Sequence, residues 1–389
     1  MARSRSGDHV KWWLIIAAVL AFIVSGTYVG LRQVLAPESS PARSTAVTLT
    51  PSPLPSNPPT DSVGEPPQVV RPAGDPLLPG AGVGDVFVQS AHAIYRIDLA
   101  TGRVIRTPTP VLAEFSSFVA GPGWVALKTA SGESGVVVEN GRPAVPLTTG
   151  LRPAGRLLPA PDGDLWLLPE TPSGGVRIAA RVGIEGYSVS GETIQVPAEF
   201  GILRSDGAGL LVLTSAGKVY QLGPSGPRRL TSGSLVAVGG RFLLVWDCDD
   251  RARCFPYRLD RTTGQREQIL PAREEIVRLY QGELGKAADL GGELSPDGTH
   301  VALRIPRGGA SREALVVLNL TTGRSHTVPG TLTDLNGNAR IAWTPNSRWL
   351  LAITDHQMRA YDTSADTSRM VTVTDEQLRH LTMAGAPGT

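Results

Sequence analysis

The side chains best equipped for chemistry in this 389-residue chain are its two cysteines, Cys248 and Cys254, which stand in the segment WDCDDRARCFPYRL beside Asp247, Asp249 and Asp250. They flank an expected hairpin tip, and two thiols on adjoining strand ends suit a local disulfide in an oxidising compartment. A free thiol pair and a small metal site with the three aspartates are the alternatives, although two cysteines without a second pair or a spaced histidine make a poor zinc set. His92, His300, His326, His356 and His380 stand singly at expected strand ends, turns and the tail, where a histidine is solvated more often than catalytic. Glu274 and Glu275 read as a solvated face. No Gly-x-Ser-x-Gly elbow, His-Glu-x-x-His pair or Walker loop is present, and Gly80-Ala81-Gly82-Val83-Gly84 completes no dinucleotide fingerprint. The sequence therefore assigns no catalytic, cofactor or metal residue.

The elements that would carry these residues are short strands. Beyond Gly80, β-rich runs alternate with Gly, Pro, Asp and Asn clusters, and the chain holds 44 Gly and 32 Pro, a usage that favours many turns over long helices. The stretch Gly292 to Val328 reads as a complete four-stranded antiparallel unit, and weaker copies begin at Gly84, Phe115, Gly155, Gly201, Ser234 and Arg340. About seven units, roughly 30 to 60 residues apart, match the spacing of propeller blades. Asp162-Gly163, Asp206-Gly207 and Asp297-Gly298 fall between first and second strands, where Asp bonds forward to amides and Gly accepts a positive φ. Asp98 to Gly102, Asp260 to Gly264 and Asn319 to Gly323 share an Asp/Asn-x-x-Thr-Gly pattern that closes the third and fourth strands. Asn319-Leu320-Thr321, a glycosylation sequon, overlaps that turn and is discounted. Trp124, Trp166, Trp246 and Trp349 lie in or beside second strands, as core residues would.

The segments LSPDGTHVALRI, LVVLNLTTGRSHTV and WTPNSRWLLAI resemble the repeats of TolB-like and WD-repeat-like β-propellers, well over residues 291–362 and loosely over 84–270. That resemblance implies an all-β propeller of about seven four-stranded blades, with six or eight open, around a central channel and closed by pairing the two chain ends in one blade. The first unit lacks a first strand, and Arg369 to Thr374 is the expected donor. Pro271 to Gly291 exceeds a turn and is open between a short helix and an extra strand. Thr374-Asp375-Glu376-Gln377 has capping-box spacing and predicts a short helix.

Residues 12–31 carry no charge and, at about 1.5 Å rise each, cover the roughly 30 Å core of a bilayer. Arg3, Arg5 and Lys11 precede them, which predicts a single-pass anchor with the N-terminus cytoplasmic; a cleaved signal peptide is the rival reading. The expected organisation is a cytoplasmic segment 1–11, the span 12–31, a Pro/Ser/Thr-rich disordered stalk 32–80, a propeller 81–374 and a helical or disordered tail 375–389. The net charge is +2, with no basic stripe that would indicate nucleic acid. The function expected is an extracytoplasmic binding or scaffolding module for a protein or a cell-envelope polymer. A hydrolase or lyase with a site gathered at the channel mouth is the alternative.

Overall fold

A computed structural model describes residues 65–110, 115–129, 135–139, 141–147, 155–160, 163–169, 174–183, 189–205, 211–215, 218–223, 226–280, 289–306, 312–333 and 341–384. All lie in the compact unit Pro59–Thr389. The expected span at 12–31 and the Asp206-Gly207 turn fall outside the described residues; among those described, no helix is long and apolar enough to cross a membrane.

Each repeat seen in the sequence becomes one antiparallel meander. The described strands form five sheets of four or five strands and one of eight, and the eight-stranded sheet divides at its only parallel junction, Ser234–Val238 against Asp289–Leu294, into two four-stranded halves. Seven blades result, and their first strands begin at His380, Phe115, Gly155, Gly201, Ser234, Asp289 and Ile341. First strands lie beside one another from the first blade to the fourth and between the fifth and sixth, and the first strand of the seventh blade, Ile341–Trp343, lies beside His380–Met383 of the first.

Seven apolar clusters occupy the seven junctions. Alternation along a strand sends successive side chains to opposite faces, so Val86 and Val88 pack with Leu351 and Ile353 of the seventh blade, while Phe87 between them packs with Phe118 and Val125 of the second. Trp124, Trp166, Trp246 and Trp349 are all buried in such junctions. Burial on both faces explains why the second strands read as unbroken apolar runs such as Trp349–Thr354. With each fully buried Leu or Val contributing about 1.5–3 kcal/mol, these junctions dominate the stability. The described residues form a β-propeller.

Closure departs from the expected pairing in one respect. Thr367–Met370, which overlaps the start of the segment Arg369 to Thr374 expected to close the ring, is the seventh blade's own fourth strand, paired with Gln357–Asp362. The closing strand is His380–Met383, paired antiparallel with Asp85–Gln89 and placing Leu381 opposite Val88. It lies in the stretch expected to be a helical or disordered tail. The capping-box residues form no helix there: the Thr374 hydroxyl accepts the Glu376 amide at 3.2 Å, and the Glu376 carboxylate goes to Tyr95 instead of back along its own backbone.

The end of the expected stalk also belongs to the folded unit. Gln68–Arg71 pairs with Val104–Pro108 as a fifth, outer strand of the first blade. Residues 77–80 then lie across the seam between first and seventh blades. Arg369 donates to the Leu77 carbonyl at 2.7 Å, Trp349 Nε1 to Pro79 at 3.1 Å and Asn346 Nδ2 to Gly80 at 2.7 Å, and Leu78 is buried. A proline-rich segment has few amide donors but keeps its carbonyls, and here side chains of the seventh blade hold them.

Between the fifth and sixth blades, the stretch open between a short helix and an extra strand holds the helix α1, Arg273–Tyr280, and residues 281–288 fall outside the described residues. Ile276 and Tyr280 fill the junction with Trp246 and Leu320. Glu275, expected on a solvated face, instead ties α1 to the sixth blade: it pairs with Arg278 and accepts from the Ser325 hydroxyl. Those contacts hold its carboxyl below the usual range, the Arg278 bond being the largest cause.

Candidate functional site

An antiparallel blade has two unlike ends. Turns between first and second strands, and between third and fourth, fall at one end; hairpins between second and third strands fall at the other. At the turn end the polar side chains cap backbone. Asp98, Asp260 and Asn319 each accept two amides through Oδ1, and Gly102, Gly264 and Gly323 follow with φ of 64°, 75° and 72°. Ser295 and Asp297 close the Ser-Pro-Asp-Gly turn, with Gly298 at φ 69° and the Ser295 hydroxyl 2.6 Å from Asp297 Oδ1. Thr344 and Asn346 repeat the arrangement in the seventh blade, where Ser347 takes the glycine position at φ 61°. Asn319, the sequon residue, is engaged through both side-chain atoms.

Two of the histidines, His300 and His326, lie at this end, each packed against a ring of the seventh blade. Asn319 Nδ2 donates to His300 Nε2 at 3.1 Å, which leaves the His300 proton on Nδ1 to reach Thr299 Oγ1 at 2.9 Å, and Thr299 donates in turn to Asp297 at 2.9 Å. His300 is 9% exposed, and burial pushes its pKa down against the opposing charges of Asp297 and Asp366. His326 lies 5.0 Å from the Tyr361 ring, whose hydroxyl donates to Asp366 at 2.8 Å; burial first, and that carboxylate second, push the Tyr361 phenol well up. A histidine with both ring nitrogens bonded and a phenol whose proton is held by burial and a carboxylate make a structural mesh between blades.

The hairpin end is built differently, and the connection from the seventh blade back to the first crosses it. His356 accepts the Leu378 amide on its carbonyl at 2.9 Å, and its Nδ1 lies 3.3 Å from the Leu378 carbonyl. Tyr95 donates to Glu376 at 2.9 Å and lies 3.0 Å from Thr374 Oγ1, while Arg106 stands 3.7 Å from the same carboxylate. Burial raises the Tyr95 pKa, and it opposes the hydrogen bonds that leave Glu376 below the ordinary carboxylate range. The structure thus gathers His92, His356 and His380 around one connection. The Tyr95–Glu376 contact was hidden in the sequence because 281 residues separate the two.

Cys248 and Cys254 form a disulfide across a register pair of the fifth blade, with Cα atoms 3.9 Å apart. Asp249 caps the intervening loop, accepting the amides of Arg251 and Arg253, so Asp249 is not a metal ligand in waiting and its pKa is lowered, the Arg253 amide being the largest cause. Among the described residues no three His, Cys, Asp or Glu side chains group as a metal site.

No known protein family matches the sequence, and no curated protein does. Solved structures share its form at low identity. A putative 6-phosphogluconolactonase from Bacteroides fragilis is 14% identical at a TM-score of 0.47, covering 80% of this chain and 100% of its own. Citrobacter koseri AztD is 12% identical at 0.44, covering 79% and 99%, and TolB from Acinetobacter baumannii is 14% identical at 0.41, covering 77% and 82%. These likenesses assign no substrate.

Proposed function

We propose that this chain is a single-pass membrane protein, anchored through residues 12–31 with its N-terminus cytoplasmic, whose propeller lies outside the cytoplasm and acts as a binding or scaffolding module for a protein or an envelope polymer. The observation that carries the reading is the contrast between the two ends of the blades. At the turn end the polar side chains close on their own backbone, whereas the described hairpins are unlike one another: that of the fifth blade is closed by a disulfide, and those of the first and seventh hold a connection through Tyr95 and His356, as recognition surfaces on a rigid scaffold do. The Cys248–Cys254 disulfide supports the location, since such bonds persist in oxidising compartments.

Protease added to intact cells tests the topology: the propeller should be cut or shed while a cytoplasmic marker survives, and a fully protected propeller would overturn it. Photo-crosslinking from hairpin positions such as Gln357 should yield a discrete adduct, with none from turn positions such as Thr263. Equal labelling from both ends would remove the distinction on which the reading rests.

A further inference from the structure

We propose that the disulfide-closed hairpin and outer edge of the fifth blade form a binding site for a polyanion, an envelope glycopolymer bearing repeated oxyanions; this rests on the reading of the propeller as an extracytoplasmic binding module. Charge is strongly segregated along the chain. Residues 218–273 hold ten basic side chains (one Lys, nine Arg) and five acidic ones, a net of +5 in a chain whose total is +2. The sum over the whole repeat domain conceals this, because the remainder is acidic.

The local carboxylates do not cancel that excess. Asp247 pairs with Arg266 at 2.9 Å, Asp249 with Arg253 at 2.7 Å, Asp260 with Arg241 at 2.8 Å and Glu267 with Arg258 at 2.5 Å. Lys218, Arg228, Arg251 and Arg273 pair with no carboxylate among the described residues. Arg273 is the most informative. It is half-buried, its Nε donates to the Cys254 carbonyl at 3.0 Å, and its guanidinium lies over the Phe255 ring at 5.2 Å. One bond and one ring fix its plane and leave the terminal nitrogens as a fork, the geometry that receives a phosphate or carboxylate in bidentate fashion. A half-buried guanidinium without a counter-ion has lost hydration that an anion restores.

The hairpin is preorganised around it. The disulfide joins the strand ends, Asp249 holds the Arg251 and Arg253 amides, and Ala252 is fixed at φ 57°, so Arg251 is presented on a rigid tip. Phe255 carries Arg253 at 6.0 Å as well as Arg273, and Tyr257 carries Arg266 at 4.4 Å. Rings already covered by guanidinium groups offer no platform for stacking bases, which favours a glycopolymer over single-stranded nucleic acid.

The test uses the full chain in nanodiscs of zwitterionic lipid, with fluorescent poly(glycerol phosphate), hyaluronate, neutral dextran and a single-stranded oligonucleotide as probes. Binding to the phosphodiester or the carboxylate polymer, weakening with salt, is expected, and which of the two binds more tightly identifies the oxyanion. The double variant Arg251→Gln/Arg273→Gln should bind at least about tenfold more weakly, as loss of two charge-assisted contacts requires, whereas Arg324→Gln, on a turn of the sixth blade, should bind as the parent does. Cys248→Ser/Cys254→Ser should also weaken binding while leaving the propeller folded by circular dichroism. Parent-like binding by the double variant, failure of both polyanions to bind, or preference for dextran or the oligonucleotide would overturn the proposal. Protection of the propeller from protease in cells would instead defeat the topology and leave polyanion binding in vitro untouched.

Discussion

At the scale of single residues, two glycines in equivalent turns separate backbone strain from packing. Gly264 and Gly323 both adopt a left-handed conformation, at 75° and 72°. Around Gly264 nothing lies within 4 Å of where a Cβ would stand, whereas at Gly323 that atom would run into the Pro271 carbonyl ahead of α1. Gly264→Ala should therefore cost about 1–2 kcal/mol, the left-handed penalty alone. Gly323→Ala should cost clearly more, because the obstacle is backbone; equal shifts in urea midpoint would show that the contact yields freely. His300 makes the second prediction. Burial depresses its pKa in the fold below the ordinary value of about 6.5, so below that pH the unfolded chain binds the extra proton. Stability should fall as pH drops from about 6.5 until the folded-state pKa is passed, and His300→Gln should flatten that part of the profile. Asp297 acts further down: burial raises its pKa, but the Ser295 and Thr299 hydrogen bonds more than offset this, so its contribution is lost only when acid protonates it in the fold. An unchanged slope in His300→Gln between about pH 5 and 6.5 would remove the histidine from this account.

At the scale of elements, the closing connection is held by the Tyr95–Glu376 contact, and a double-mutant cycle should expose it. Tyr95→Phe and Glu376→Gln should each destabilise, with a coupling energy of about 1 kcal/mol between residues in contact; a coupling near zero would mean that Leu378 and Val371, both buried, hold the connection alone. That contact also marks where the sequence stops being legible. Blades could be read because their signals are local: Asp297-Gly298 and Asn319 to Gly323 fix turns from within, and the unbroken apolar second strands state that both faces are buried. The disulfide could be read for the same reason, six residues separating its cysteines. His380–Met383 could not, because four residues with one apolar alternation gain strand character only from Asp85–Gln89, nearly 300 residues earlier. The carbonyls of Leu77, Pro79 and Gly80 looked like stalk because their donors lie in the seventh blade. The arginine cluster of the fifth blade was present in the sequence, but it is lost when charge is summed over a whole domain.

At the scale of the molecule, the two chain ends close one ring from opposite sides, and this determines how it should unfold. An open stack of repeats frays from its termini, because a terminal unit has one neighbour. Here the first blade takes its innermost strand from His380–Met383 and its outermost from Gln68–Arg71, and residues 77–80 bind the seventh blade across the same seam. Leu381 is fully buried beside Val86, Val88 and Leu351. Leu381→Asp places an unpaired carboxylate there and should cost about 3 kcal/mol or more. Truncation separates the two closures. Removing residues 1–64 should leave the thermal midpoint of the propeller unchanged, since the outer strand begins at Gln68. Removing residues 1–83 deletes the outer strand, the buried Leu78 and the carbonyls that Trp349 Nε1, Asn346 and Arg369 bond, so the midpoint should fall and the first and seventh blades should lose amide-exchange protection together. If the two truncations melt alike, the outer strand and residues 77–80 only decorate a ring that His380–Met383 closes by itself.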